Sequence, residues 1–150
     1  MGGGHCAKAI AEACIPLDWK YSVQDSRAEY AILEGATETH HSCPTDFLAQ
    51  ENQESLSRFS DILLLGHDWK EDEERLLGLL SAGYTGRLGV IGSKSKWKAF
   101  TSVALEAGIN RETLDGVNCP IGLAIGAESP EEIAIAVLAE ILAAHKGINL

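Results

Sequence analysis

The chain has 150 residues, 45% hydrophobic but only 6% aromatic, so an aliphatic core in a single domain over residues 1–150 is expected. Twelve basic against 22 acidic residues leave a formal charge of −10, which argues against nucleic acid or an anionic membrane as partner. No apolar run reaches membrane-spanning length and no secretory leader pattern is present, so a cytoplasmic setting is expected.

The opening, MGGGHCAKAIAEACI, is three glycines feeding a helix whose stripe is Ala7, Ile10, Ala11 and Cys14 and whose stop is Pro16. WKYSVQD predicts a short strand, with Trp19, Tyr21 and Val23 on one side, and ATETHHS a weaker one. TDFLAQENQESLSRF predicts a polar amphipathic helix opened by Thr45 or Asp46. DILLLGHD is a continuous apolar run ending in glycine, the pattern of a strand covered on both faces. Asp68 and Glu71 then have capping-box spacing, and acidic KEDEE sits at the positive end of a helix that stops at Gly83.

RLGVIGS predicts the next strand, followed by the helix KSKWKAFTSVALEAG, a short turn at RETLDG and the glycine-punctuated connector CPIGLAIGAE. The last helix starts with Ser129 as N-cap, Pro130 at N1 and Glu132 at N3, and ends at Gly147. Its apolar residues form two stripes, Ile133/Val137/Ile141 and Ile135/Leu138/Leu142, which predicts a core face and a homo-oligomer interface. Strands alternating with helices predict an α/β, Rossmann-like three-layer sandwich with a mainly parallel sheet, its first strand missing or truncated.

Cys6, Cys14, Cys43 and Cys119 form no CxxC pair and read as reduced thiols. His40, His41 and Cys43 lack a fourth ligand at fixed spacing, so no metal site is expected.

In such folds ligands sit beyond the carboxyl ends of the strands, where three loops of this sequence should meet. Gly2-Gly3-Gly4-His5 leads into a helix, and Gly2, Gly4 and Ala7 fit G-x-G-x-x-A. Asp25 stands about 20 residues on, where a ribose-binding carboxylate belongs. Gly66-His67-Asp68 offers a candidate reactive imidazole in His67 and a residue suited to N-capping in Asp68. Gly92-Ser93-Lys94 combines backbone donors, a hydroxyl and a positive charge at a helix start. The three loops are expected to hold a phosphate-bearing small molecule.

The stretches LGHDWKEDEERLLGLLSAGYTGRLGVIGSKSKWKAF and CPIGLAIGAESPEEIAIAVLAEILAAHKG resemble the C-terminal Rossmann domain of the XdhC/CoxI family, the xanthine dehydrogenase accessory proteins. GGGHCAKAIA and VQDSR likewise resemble that family's glycine loop and its D-x-R, here Asp25 and Arg27. The resemblance implies a non-catalytic protein that binds the molybdenum cofactor (molybdopterin), protects it and delivers it to a molybdenum hydroxylase apo-enzyme. It also implies a separate N-terminal-type XdhC partner, because the family's other domain is outside this chain. The competing expectations are an NAD-dependent oxidoreductase, with Asp25 favouring NAD over NADP, and a nucleotide-sensing module without chemistry.

The missing first strand would be central, and buried backbone groups left without it cost about 1–3 kcal/mol each. A start upstream of Met1 is the favoured expectation, and compensation by another chain the second.

Overall fold

The computed structural model describes residues 1–150. Helix α1 (His5–Cys14) is followed by a 3₁₀ turn (Ile15–Leu17), strand β1 (Val23–Asp25), a second 3₁₀ turn (Ala28–Tyr30) and β2 (Thr39–His41). Then come α2 (Pro44–Ala49), α3 (Gln53–Leu56), β3 (Asp61–Leu64), α4 (Trp69–Ser81), β4 (Arg87–Val90), α5 (Lys94–Glu106), α6 (Arg111–Asp115) and α7 (Pro130–His145). The predicted helix over 45–59 is two helices instead. Cys43 caps the first, and Asn52 opens the second with a reciprocal Asn52–Ser55 box, so local side-chain bonds outcompete a continuous helix.

The strands are parallel, as the alternating pattern predicts, but they form two sheets, β1–β2 and β3–β4, rather than one. Asn118 extends the second pair through a parallel bridge to Gly89. The two pairs are linked at one end by the first residues of the chain. Gly2 N–H donates to Gln24 O at 2.7 Å, the Met1 amine donates to Leu63 O at 2.6 Å, and Leu65 N–H donates to Met1 O at 2.8 Å. Met1 and Gly2 therefore occupy the carboxyl end of the path a central strand would take. This explains why the predicted strand over 19–25 is regular only from Val23: upstream of it, no neighbour lies on the inner side.

Two apolar clusters cover the β3–β4 sheet. On one face Ile62 and Leu64 of β3 pack with Leu76 and Leu79 of α4, Leu88 and Val90 of β4 and Phe100 of α5. On the other, Leu63 and Leu65 lie against Ile10 and Cys14 of α1 and Val137, Leu138 and Ile141 of α7. The period-two alternation of the DILLL run thus supplies both layers. Helix α7 begins with the expected Ser129–Glu132 capping box. Its second stripe divides: Leu138 is buried, whereas Ile135 and Leu142 are 62% and 41% exposed.

Candidate functional site

The glycines of the first loop have different tasks. Gly2 has φ +94°, a conformation L side chains rarely adopt, and a Cβ there would lie 2.7 Å from Gly66 N. A Cβ on Gly3 would lie 1.6 Å from Tyr30 O, so the backbone itself excludes any side chain. Gly4 faces open space, and a Cβ there would meet nothing within 4 Å. The first two glycines thus let the loop pass between Gly66 and Tyr30, and the third leaves a clear approach to the start of α1.

That helix start is unlike those of the other long helices. Asp68 accepts from Lys70 N–H at α4, Ser93 from Lys96 N–H at α5, and Ser129 from Glu132 N–H at α7. Gly4 has no side chain to do so, and the first turn of α1 carries no acid. Its leading amides retain their positive end, which suits an anionic oxygen. His5, His67, Asp68, Ser93 and Lys94 lie at the surface; Gly66 and Gly92 are half-buried. Asp68 makes a one-sided cap without the return bond from Glu71 that its spacing suggests.

Asp25 is completely buried. Oδ2 accepts from Gly3 N–H at 2.8 Å, while Oδ1 accepts from Arg27 N–H at 2.9 Å and Arg27 Nε at 3.1 Å. Burial raises its pKa, but the Arg27 side-chain bond and the two backbone bonds outweigh it and hold the carboxyl at about 2. The carboxylate fixes the glycine loop to the end of β1. Arg27 remains 29% exposed, its guanidinium 3.8 Å above the Tyr30 ring.

Beneath the rim lies a cluster that sequence reasoning missed. Asp72 Oδ1 accepts from Arg75 Nη1 at 2.8 Å and Gly66 N–H at 3.2 Å, and Oδ2 accepts from Lys96 Nζ at 2.9 Å. Lys96 also donates to Ile91 O at 3.0 Å, and Arg75 Nε to Gln24 Oε1 at 3.2 Å. Asp72, Arg75, Lys96 and Gln24 are all buried. One carboxylate therefore ties the turn after β3 to α4 and α5, and through Arg75 reaches β1. The sequence signal was an acid at position 72 on the face shared by Leu76 and Leu79, hidden in an acidic run that also suits the helix dipole.

The structure thus brings the Gly2 and Gly66 turns into direct proximity, and joins the Gly66 turn to the start of α5 through Asp72. A doubly covered parallel α/β domain with a glycine turn at an uncapped helix start is a Rossmann-type domain. The family model of the XdhC Rossmann domain matches residues 1–141, and the chain belongs to that family. It is 32% identical over 145 residues to the uncharacterized protein YqeB of Escherichia coli K12, an alignment covering 95% of this chain and 26% of that protein. A Bacillus halodurans protein described as a xanthine dehydrogenase has the same fold, with a TM-score of 0.79 at 24% identity over 99% of this chain and 42% of its own. The chain thus spans about a quarter to two fifths of the relatives it matches.

Proposed function

We propose that this domain holds a phosphate-bearing cofactor at the start of α1 and serves as an accessory protein to a xanthine dehydrogenase-type molybdenum hydroxylase, with the molybdenum cofactor as cargo. The observation that carries the binding reading is the uncapped α1 N-terminus behind Gly4, in a molecule whose other long helices are all capped. Membership of the XdhC family, and the description of the Bacillus halodurans relative, support the assignment to hydroxylase maturation.

The residues present fit an anionic group. Amides of Gly4 to Cys6 supply backbone donors, and Ser93 and Lys94 a hydroxyl and a charge at a neighbouring helix start. Arg27 keeps an exposed part of its guanidinium for a further oxygen or a ring edge. Asp25 positions the loop rather than the ligand, which weakens the NAD reading, since that reading asks the same buried carboxylate for a ribose hydroxyl. His67, like His5 at the start of α1, is an exposed imidazole on this rim, and it is the candidate to face the reactive end of the cargo. A separate N-terminal-type XdhC polypeptide and the apo-hydroxylase are the proposed partners.

The test is Gly4→Val with added molybdenum cofactor, followed by pterin fluorescence, alongside native mass spectrometry of freshly purified protein. The variant should fold, because Gly4 faces open space, and should lose binding because its side chain blocks the helix start. Unchanged affinity would remove the loop from the site. Titration with NADH, read by quenching of exposed Trp69, separates the nucleotide reading from this one.

A further inference from the structure

The chain carries three tryptophans, three tyrosines and three phenylalanines, and all but one of these side chains are buried or half-buried. The exception is Trp69, which is 52% exposed. It is the first residue of α4, directly after the Asp68 cap. Nothing local calls for an aromatic ring there: Asp68 accepts from Lys70 N–H without help from the indole, and tryptophan is an indifferent helix former. The indole meets Phe100 of α5 edge to face, with ring centroids 6.2 Å apart and planes at 80°. Phe100 is fixed in the core at 1% exposure, so the indole is braced on the core side with about half of its surface in water.

This exposed ring stands on the rim of the candidate site. A Cβ on Gly2 would lie 2.9 Å from Gly66 Cα, so the glycine loop and the turn after β3 touch. From that contact Gly4 is two residues along one segment, and Trp69 is three residues along the other. The loop is bonded to β1 through Gly2 and Gln24, and to the end of β3 through Met1 and Leu65. Arg27 and Tyr30 therefore belong to its β1 flank and Trp69 to its β3 flank. On the β1 flank the Arg27 guanidinium already covers the Tyr30 ring at 3.8 Å and is paired with Asp25. The β3 flank presents an uncovered aromatic surface instead.

We propose that Trp69 is the stacking platform for a planar nitrogen heterocycle, a pterin or a nucleobase, carried by the phosphate-bearing ligand. The proposal rests on the anion-binding reading of the α1 start and adds a direction to it. Phosphate oxygens lie at Gly4, and the ring lies toward α4, on the β3 flank rather than beside Asp25. Stacking on an indole depends on the flat face of the ring and tolerates changes in its hydrogen-bonding edge, so it selects a class of ring rather than one base.

The test measures, by calorimetry on the full chain, three probes that share one anion: inorganic triphosphate, neopterin triphosphate and ATP. At least one ring-bearing probe should bind about tenfold tighter than inorganic triphosphate. Trp69→Ala and Trp69→Leu should both erase that margin and leave inorganic triphosphate unaffected, whereas Trp69→Phe should keep most of it. Leucine preserves apolar cover over Phe100, so a loss common to both variants separates stacking from packing. The indole N–H resonance of Trp69, assigned by its absence from Trp69→Phe, should shift on adding the ring-bearing probe by more than those of Trp19 and Trp97. The probe with the larger margin, pterin or adenine, identifies the ring. Equal affinity for all three probes, or a margin that survives Trp69→Ala, overturns the role of Trp69 while the anion site stands. Equal weakening of all three probes in Trp69→Ala also overturns it, by showing a structural role alone. No binding of any probe overturns both the platform and the anion site.

Discussion

In protein whose chain begins at Met1, the amine of that residue is buried and makes stability depend on pH in a definite window. Burial, reinforced by the Arg75 charge, lowers its pKa from 8.0 to about 5. The unfolded chain therefore takes up a proton below about pH 8 that the folded chain refuses until about pH 5. Stability is fully retained above pH 8, falls as the pH drops through the window, and levels off below pH 5. Three pKa units at 1.36 kcal/mol each put the loss at up to about 4 kcal/mol. Urea unfolding from pH 5 to 8, on protein confirmed by mass to begin at Met1, should show this decline. Acetylating that amine removes the titration, and the cavity behind it has room for the acetyl group. The five histidines are common to both forms, so the difference between the two curves isolates Met1. Parallel curves for the free and acetylated chains would refute the reasoning, and with it the burial of the Met1 amine between the sheets.

Asp72→Ala should cost about 3–5 kcal/mol in urea unfolding, because it strands the buried Arg75 and Lys96 charges; a loss below about 1 kcal/mol would contradict the role of Asp72 as their shared partner. Gly3→Ala should abolish folding by circular dichroism, since its Cβ would meet Tyr30 O, whereas Gly4→Ala should cost less than about 1 kcal/mol. Asp25, held at about 2 against an ordinary 3.8, contributes about 2 kcal/mol that is present above pH 4 and lost as the pH falls through 2. Acid unfolding of Asp25→Asn should lack that component. Ser129→Ala removes one half of the α7 capping box and should lower stability by about 1 kcal/mol in the same assay.

Local pattern alone determined much of this protein. The apolar run of β3, the caps Ser93 and Ser129, the Pro16 stop and the glycine turn before α1 are written in neighbouring residues, because helix ends and strand alternation are decided within a few positions. The same locality explains the one misread helix: Asn52 and Ser55 split the segment over 45–59 by a bond that competes with helix propagation. For the candidate site, the sequence nominated the three loops but could not rank their residues. Only the tertiary structure decided that Asp25 is sealed beneath Gly3, that Lys96 turns inward to Asp72 while Lys94 stays outside, and that Gly4 alone of the three glycines opens outward. These assignments depend on groups 22 or more positions apart, whose encounter is set by how strands and helices stack rather than by any spacing along the chain. The division of the sheet is of the same kind: strand-forming residues exist on both sides of the gap, but a strand is completed only by the neighbour that hydrogen-bonds to it.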